Sequence, residues 1–386
     1  VNKSDFHLKE KNIREPFFHI LKRDAMPFWK SWLIRIIAVL LALLVCGILS
    51  TLLIHQNPIR VYASMINGCF GSERRIWKLL QGIAVLLCIA LAVTPAFKMQ
   101  FWNTGAEGQV LVGGLATAAV MYYGKLYFGT DLPTWILILA MVIASVLAGA
   151  IWGVIPAIFK ARWNTNETLF TLMMNYVAIQ LVNFCINVWV KNGSGKLQPM
   201  YDYGLPRIPG YNYLLNILIV AVLTIVIYIY LKYSKQGYEI AVVGQSQNTA
   251  RYVGINVRKV VIRTMLLSGS ICGIAGLILV GGTDYTVNQD TVGGRGFTAI
   301  MVSWLAKFNP LFMVLTSFLV VFLQQGASQL ASDFHMDEAF SDIITGIILF
   351  FIIGSEFFIN YEVVFRHGTK KLKKTETNTD KEEKKS

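Results

Sequence analysis

Apolar runs of about 20 residues recur along this chain, and they leave it few ways to fold. A helix rises 1.5 Å per residue, so about 20 residues cover the ~30 Å hydrocarbon core of a bilayer. In that core each spanning segment must satisfy its own backbone N–H and C=O groups, which selects the helix. Ten spans are expected, at roughly 33–55, 79–97, 105–123, 132–158, 168–190, 213–231, 264–282, 294–306, 311–331 and 340–359. The third and eighth read as short and glycine-rich. Two sets of five spans enter the membrane from opposite sides, because each set has an odd count. The predicted fold is therefore all-α and integral to the membrane: about ten transmembrane helices in two inverted five-helix halves, with short broken helices.

Composition agrees with this. Of 386 residues, 55% are hydrophobic and only 15% charged, against about 25% charged in soluble domains. The net charge of +13 does not point to nucleic acid, because the cations sit at membrane borders. With the N-terminus inside, 25 of the 35 Lys and Arg fall on cytoplasmic segments, 9 on outer segments and Arg35 within the first span. Positive-inside topology then places both termini in the cytoplasm. The expected domains are a cytoplasmic leader at 1–32, a transmembrane domain at 33–360 and a disordered cytoplasmic tail at 361–386. The leader is too charged for a cleavable signal peptide. Its segment from Phe17 to Trp32 reads as an interfacial amphipathic helix on lipid, broken at Pro27. The tail from Lys370 to Ser386 is nearly all polar and reads as solvated.

Several chemistries find no support. Four of the five cysteines lie in apolar runs and Cys69 sits alone in a loop, so neither disulfide nor metal site is expected. There is no P-loop motif, nucleophile elbow or zinc-protease motif. No catalytic residue and no bound cofactor are expected.

The polar insertion 232–263 separates two apolar runs. Ser246 is a good N-cap, Gln247 to Val253 can make about two helical turns, and Gly254 suits the left-handed position that ends a helix. A short, well-capped helix between spans is suited to docking in a partner's groove. The candidate docking residues are Gly237, Glu239, Gly244, Ser246, Ala250, Arg251, Gly254 and Ile255.

Within the membrane, Trp102, Asn103, Glu107, Gln109, Asn175, Arg295 and Phe297 are the candidate solute-path residues. Thr104 and Glu107 have capping-box spacing. The sharper reading makes Phe101–Gln109 a broken helix whose N-terminal dipole faces a solute path. Gly293-Gly294-Arg295-Gly296 opens the corresponding span of the second half. Glu107 and Arg295 are thus expected near the pseudo-symmetry axis, lining or bracing the path. Asn166 reads as a cap, with Glu167 complementing the helix dipole. Asn175 reads first as an interhelical hydrogen-bond former. Trp102, Phe101, Phe297 and Trp304 read first as core or interfacial aromatics, and second as stacking surfaces for a base. An ion- or proton-coupled secondary transporter is the competing function.

Phe101-x-Asn103-x-Gly105-Ala106-Glu107-Gly108-Gln109 resembles a motif of bacterial ABC-importer permeases for nucleosides and simple sugars. This group belongs with the ribose and branched-chain amino acid permeases. Asn166-Glu167, Asn175-Tyr176 and Gly294-Arg295-Gly296-Phe297-x-Ala299-Ile300 match its further motifs. The resemblance runs from about residue 30 to 360. Gly244, Ala250, Gly254 and Ile255 match its ATPase-docking loop, while Ala241, Ser246 and Thr249 replace the family's Arg, Asn and Ala. Thr104 replaces its Ile. The resemblance implies a plasma-membrane subunit with three partners: a cytoplasmic ATPase that holds ATP and Mg, a second permease and an extracellular binding lipoprotein.

Overall fold

The computed structural model describes residues 18–23, 26–54, 57–129, 133–190, 197–208, 210–211, 213–336 and 338–365. Thirteen helices follow one another: α1 Phe28–Ile54, α2 Pro58–Phe70, α3 Glu73–Lys98, α4 Ala106–Phe128, α5 Thr134–Trp163, α6 Glu167–Trp189, α7 Leu214–Tyr233, α8 Lys235–Gln245, α9 Gln247–Tyr252, α10 Val257–Leu279, α11 Arg295–Leu305, α12 Pro310–Asp333 and α13 Glu338–Asn360. A π-helical turn, Val280–Asp284, extends α10. Among the described residues, nine helices are long and apolar enough to cross a membrane.

Short polar side chains set where these helices begin. Ser72, Asn166, Asn256 and Asn309 each accept a hydrogen bond from a backbone N–H of the first turn that follows. Asn309 is followed by Pro310, which has no N–H to satisfy.

The structure alters the sequence reading of the helices in three places. The eighth, at 294–306, is the 11-residue helix α11, about 16 Å long and too short to cross. The third, α4, is a full 23 residues. The 13-residue α2 was not expected as an element. Cys69 lies in it rather than in a loop, buried, with its thiol donating to the Phe322 carbonyl oxygen at 3.4 Å.

The chain forms two compact units, residues 45–349 and residues 1–44 with 350–386. In the larger unit, α3 and α10 form the most buried layer and run antiparallel. Gln81 early in α3 meets Thr283 beyond α10, and the Cys88 thiol meets the Ile271 carbonyl. Each of these helices packs against the fourth helix of the other half. Gly149 and Gly153 of α5 lie on Gly269 and Met265 of α10. Val321 of α12 lies on Gly82 of α3, and Thr94 of α3 meets Met313 of α12. This reciprocal exchange is the packing expected of two halves of opposite sense. Without side chains at the glycines, the α5 and α10 backbones come close enough for van der Waals attraction to replace the hydrophobic drive that lipid does not supply.

In the smaller unit, strand β1, Phe18–Lys22, pairs antiparallel with β2, Tyr361–Phe365; Phe18 faces Phe365 and Lys22 faces Tyr361. The expected interfacial helix over 17–32 is therefore replaced by a strand, and α1 begins only at Phe28. Residues 361–365 likewise leave the expected tail, whose remainder lies outside the described residues.

Arg35 and Glu356 pair in the same unit, with Nε donating to Oε1 at 2.9 Å and both side chains about four-fifths buried. A charge within a span persists when it is paired in this way. Glu356→Ala is expected to cost on the order of 1–2 kcal/mol, because Arg35 lies near a helix end and can reach the interface. Arg35→Ala in addition should restore part of that loss. A double-mutant cycle on thermal stability in detergent checks this; additive single effects would rule the coupling out.

Candidate functional site

The docking insertion forms two helices where one was expected. Ser234 opens α8, its hydroxyl accepting from Gly237 N–H at 2.9 Å. Gly237, Ile240, Val243 and Gly244 then turn one face of α8 inward. A Cβ on Gly237 would lie 2.5 Å from the Tyr230 carbonyl, and one on Gly244 would strike the Lys98 carbonyl at the end of α3. Glu239 pairs with Arg263 of α10 at 2.8 Å. Gly237, Glu239 and Gly244 thus fix α8 to α7, α10 and α3.

Ser246 ends α8 and caps α9, accepting from Thr249 N–H at 3.2 Å. Gly254 takes φ +82°. Its N–H reaches the Arg251 carbonyl at 3.0 Å, and the Ile255 N–H reaches Ala250 at 2.9 Å. These two bonds complete the glycine-ended stop expected from the sequence. Ala250 is the anchor, fully buried, while Tyr252 is 92% exposed and Arg251 and Val253 are exposed beside it. Val253, Gln247 and Asn248, exposed beside them, were not among the expected docking residues. The signal was available, since Ala250 is the only small apolar residue in α9 and leaves the other sides outward.

The second region is where α4 and α11 begin. Ser268 lies eleven residues into α10, about 16 Å along its axis. Asn103 Nδ2 donates to Ser268 Oγ and to Gln109 Oε1, each at 3.3 Å, and Gln109 Nε2 donates back to Asn103 Oδ1 at 3.1 Å. Both amides are buried. Asn175 of α6, also buried, accepts from Gly108 N–H at 2.8 Å and donates to the Thr104 carbonyl at 2.9 Å. Asn103, Gln109 and Asn175 therefore hold the start of α4, and all three side chains are buried.

The expected capping box is absent. Gly105 is the N-cap and makes no side-chain bond. The Thr104 hydroxyl instead donates to the Thr168 carbonyl of α6 at 3.0 Å. Glu107 reaches across to the other half: Oε1 accepts from Gly294 N–H at 2.8 Å and Oε2 from Gly296 N–H at 2.7 Å. A carboxylate on the first N–H groups of a helix satisfies donors that have no partner in their own helix and complements its dipole. Gly294 takes φ +74°, and a Cβ on Gly296 would lie 2.5 Å from Glu107 N. Arg295, between these glycines, donates to the Thr291 carbonyl at 3.4 Å.

The segment leading into α11 is clasped from above by residues 197–207. Thr286 Oγ1 donates to the Leu197 carbonyl at 2.7 Å, Met200 N–H to the Tyr285 carbonyl at 2.8 Å, and Leu205 N–H to the Gly281 carbonyl at 2.7 Å. Arg207 lies over the Tyr285 ring at 4.4 Å and the Tyr201 ring at 5.1 Å.

Aromatic side chains flank the junction. Trp102 and Trp304 meet edge to face at 5.3 Å over Phe97, and both are nearly half exposed in the single chain, as is Phe297. Phe101 is core. Of the expected path residues, Trp102, Phe297 and Arg295 border open surface, and Glu107 braces.

The family model for the permease component of branched-chain amino acid transport systems matches residues 75–353. The guanosine ABC transporter permease protein NupP of Bacillus subtilis is 31% identical over 90% of this chain and 98% of its own length. The nucleoside permease protein NupB of Lactococcus lactis is 28% identical over 83% of this chain and 90% of its own. The glucose permease protein TsgB13 of Haloferax volcanii is 28% identical over 88% and 92%. These relatives are ATP-driven transport subunits, which sets aside the gradient-coupled alternative. With nine candidate spans and a family match over most of its length, the chain is a multi-pass membrane protein that belongs to the permease family of ABC importers.

Proposed function

We propose that this permease forms, with a second permease, the membrane path for nucleosides. The observation that carries the reading is the pairing of two features on one chain: an exposed short helix, α9, and a junction of two helix starts tied through Glu107. Helix starts that meet between two halves of opposite sense are a recurring design for solute paths. The printed names of the two nucleoside relatives support the solute class.

α9 would dock on a separate cytoplasmic ATPase that holds ATP and Mg, and an extracellular binding lipoprotein would deliver solute. Nothing in the site performs covalent chemistry, so this chain's part in ATP use is mechanical. Glu107 has both oxygens engaged by backbone N–H groups, which speaks against a proton- or cation-carrying role. The β1–β2 ribbon and the Lys and Arg distribution support both termini on the cytoplasmic side of a bacterial plasma membrane.

Labelled guanosine uptake in a strain lacking this permease, restored by expressing it, tests the solute. Unlabelled purine and pyrimidine nucleosides should compete, and ribose, glucose and amino acids should not. Competition by glucose alone would replace the nucleoside by a sugar.

A further inference from the structure

The start of α4 is tied on every side. Asn175 and Thr171 of α6 hold it at Gly108 and Thr104, and Ser268 of α10 holds Asn103. Glu107 then carries the connection on to α11. Farther along α11, Ser303 Oγ lies 2.9 Å from Thr94 Oγ1 of α3, and Trp304 packs on Phe97 of α3 at 6.1 Å. α11 is thus fastened at both ends, by α4 at its start and by α3 near its finish. The glycine at 296 has no room for a side chain against Glu107, so the contact is between backbones as well as through the carboxylate.

We propose that Glu107 is a positioning residue that fastens α4 and α11 into one body, and that solute passes along the flank of this body instead of through the α4–α11 seam. The inference rests on the permease reading of the junction. Parting the two helix starts would strip the Glu107 carboxylate of both donors while leaving two N–H groups open, and each loss is costly away from water. Trp102, Phe297 and Trp304 beside the junction are each nearly half exposed in the single chain, so the body offers solute an aromatic surface without breaking the tie.

Two measurements on the complete transporter in proteoliposomes test this. Glu107→Gln keeps the shape but puts an NH2 donor against an N–H donor. Guanosine moved per ATP is expected to fall about tenfold, equivalent to one charge-assisted hydrogen bond, while ATPase capture stays at the wild-type level. Glu107→Asp, with a shorter reach to the same donors, should recover part of the ratio. A wild-type ratio in Glu107→Gln overturns the proposal.

The second arm leaves Glu107 intact and joins α3 to α11 by Thr94→Cys with Ser303→Cys, with the oxidised wild type as the control for native cysteines. Oxidation should form the disulfide and leave ATP turnover and uptake within about twofold of the reduced sample, since nothing moves across that contact. Inactivation reversed by dithiothreitol, or failure of the pair to cross-link, overturns it. This arm decides if Glu107→Gln does not reach the membrane. If the wild type moves no guanosine, the solute reading fails, and the disulfide is still read through ATP turnover.

Discussion

Gly269→Val is expected to leave little assembled permease in the membrane. Gly269 lies where α10 crosses α5, and a Cβ there would strike the Gly149 carbonyl oxygen and come within 3.0 Å of its carbon and 3.1 Å of the Ala150 Cα. Every one of those atoms is backbone, so no side chain can turn aside. The rest of the seam is no looser, because Gly273 sits as tightly against the Ser145 carbonyl. Overpacking in a well-filled core costs about 1–3 kcal/mol when side chains can adjust, and a backbone clash belongs at the top of that range or above. A net stability of about 5–15 kcal/mol makes such a loss a large fraction of the total. The yield of monodisperse protein after extraction in mild detergent should fall about tenfold. Gly346→Ala, where nothing lies within 4 Å, is the matched control and should keep wild-type yield. Equal yields for both variants would mean that the α5–α10 seam does not hold this fold together.

What the sequence made legible follows from periodicity and capping. Spans such as α3, α5 and α12 were readable because their apolar content exceeds any alternative use. The α9 stop was readable because a Ser cap and a left-handed glycine are local devices, fixed by a few neighbouring residues. Features that depend on distant partners were hidden. Thr104 and Glu107 have the spacing of a capping box, yet each finds its partner in another helix, at Thr168 and at Gly294 and Gly296. β1 escaped detection because its partner lies more than 300 residues away. α8 and α2 were missed for another reason. Their inward residues, Gly237, Ile240, Val243 and Gly244 in one and Val61, Met65 and Cys69 in the other, recur at helical spacing. The surrounding polar residues lower the overall hydrophobicity enough to hide that pattern. The pairing of the two glycine-flanked segments was visible as a correspondence of position, and the structure turns it into a contact.

Tyr252→Ala is expected to weaken capture of the partner ATPase more than any other single change in the docking hairpin. α8 is held by contacts within the chain, through Glu239–Arg263 and the close approach of Gly244 to Lys98. The surface left for a partner is therefore α9, where Tyr252 stands 92% exposed beside Arg251 and above the buried Ala250 anchor. Tyrosine and arginine carry a disproportionate share of interface energy, and truncating such a central residue costs about 2 kcal/mol or more, close to 30-fold in affinity. Ser246→Ala removes only the cap, worth about 1 kcal/mol, and should weaken capture about fivefold by loosening the helix. Arg251→Glu should slow association and make it less sensitive to salt, because it changes charge at the rim of the contact. The ordering Tyr252→Ala, then Ser246→Ala, then Tyr238→Ala tests the surface directly. Tyr238 is also exposed but lies on α8. A titration of purified ATPase against permease in nanodiscs gives all the affinities. If Tyr238→Ala loses more than Tyr252→Ala, α8 rather than α9 meets the ATPase, and force would then enter α3 and α10 without passing through the short helix.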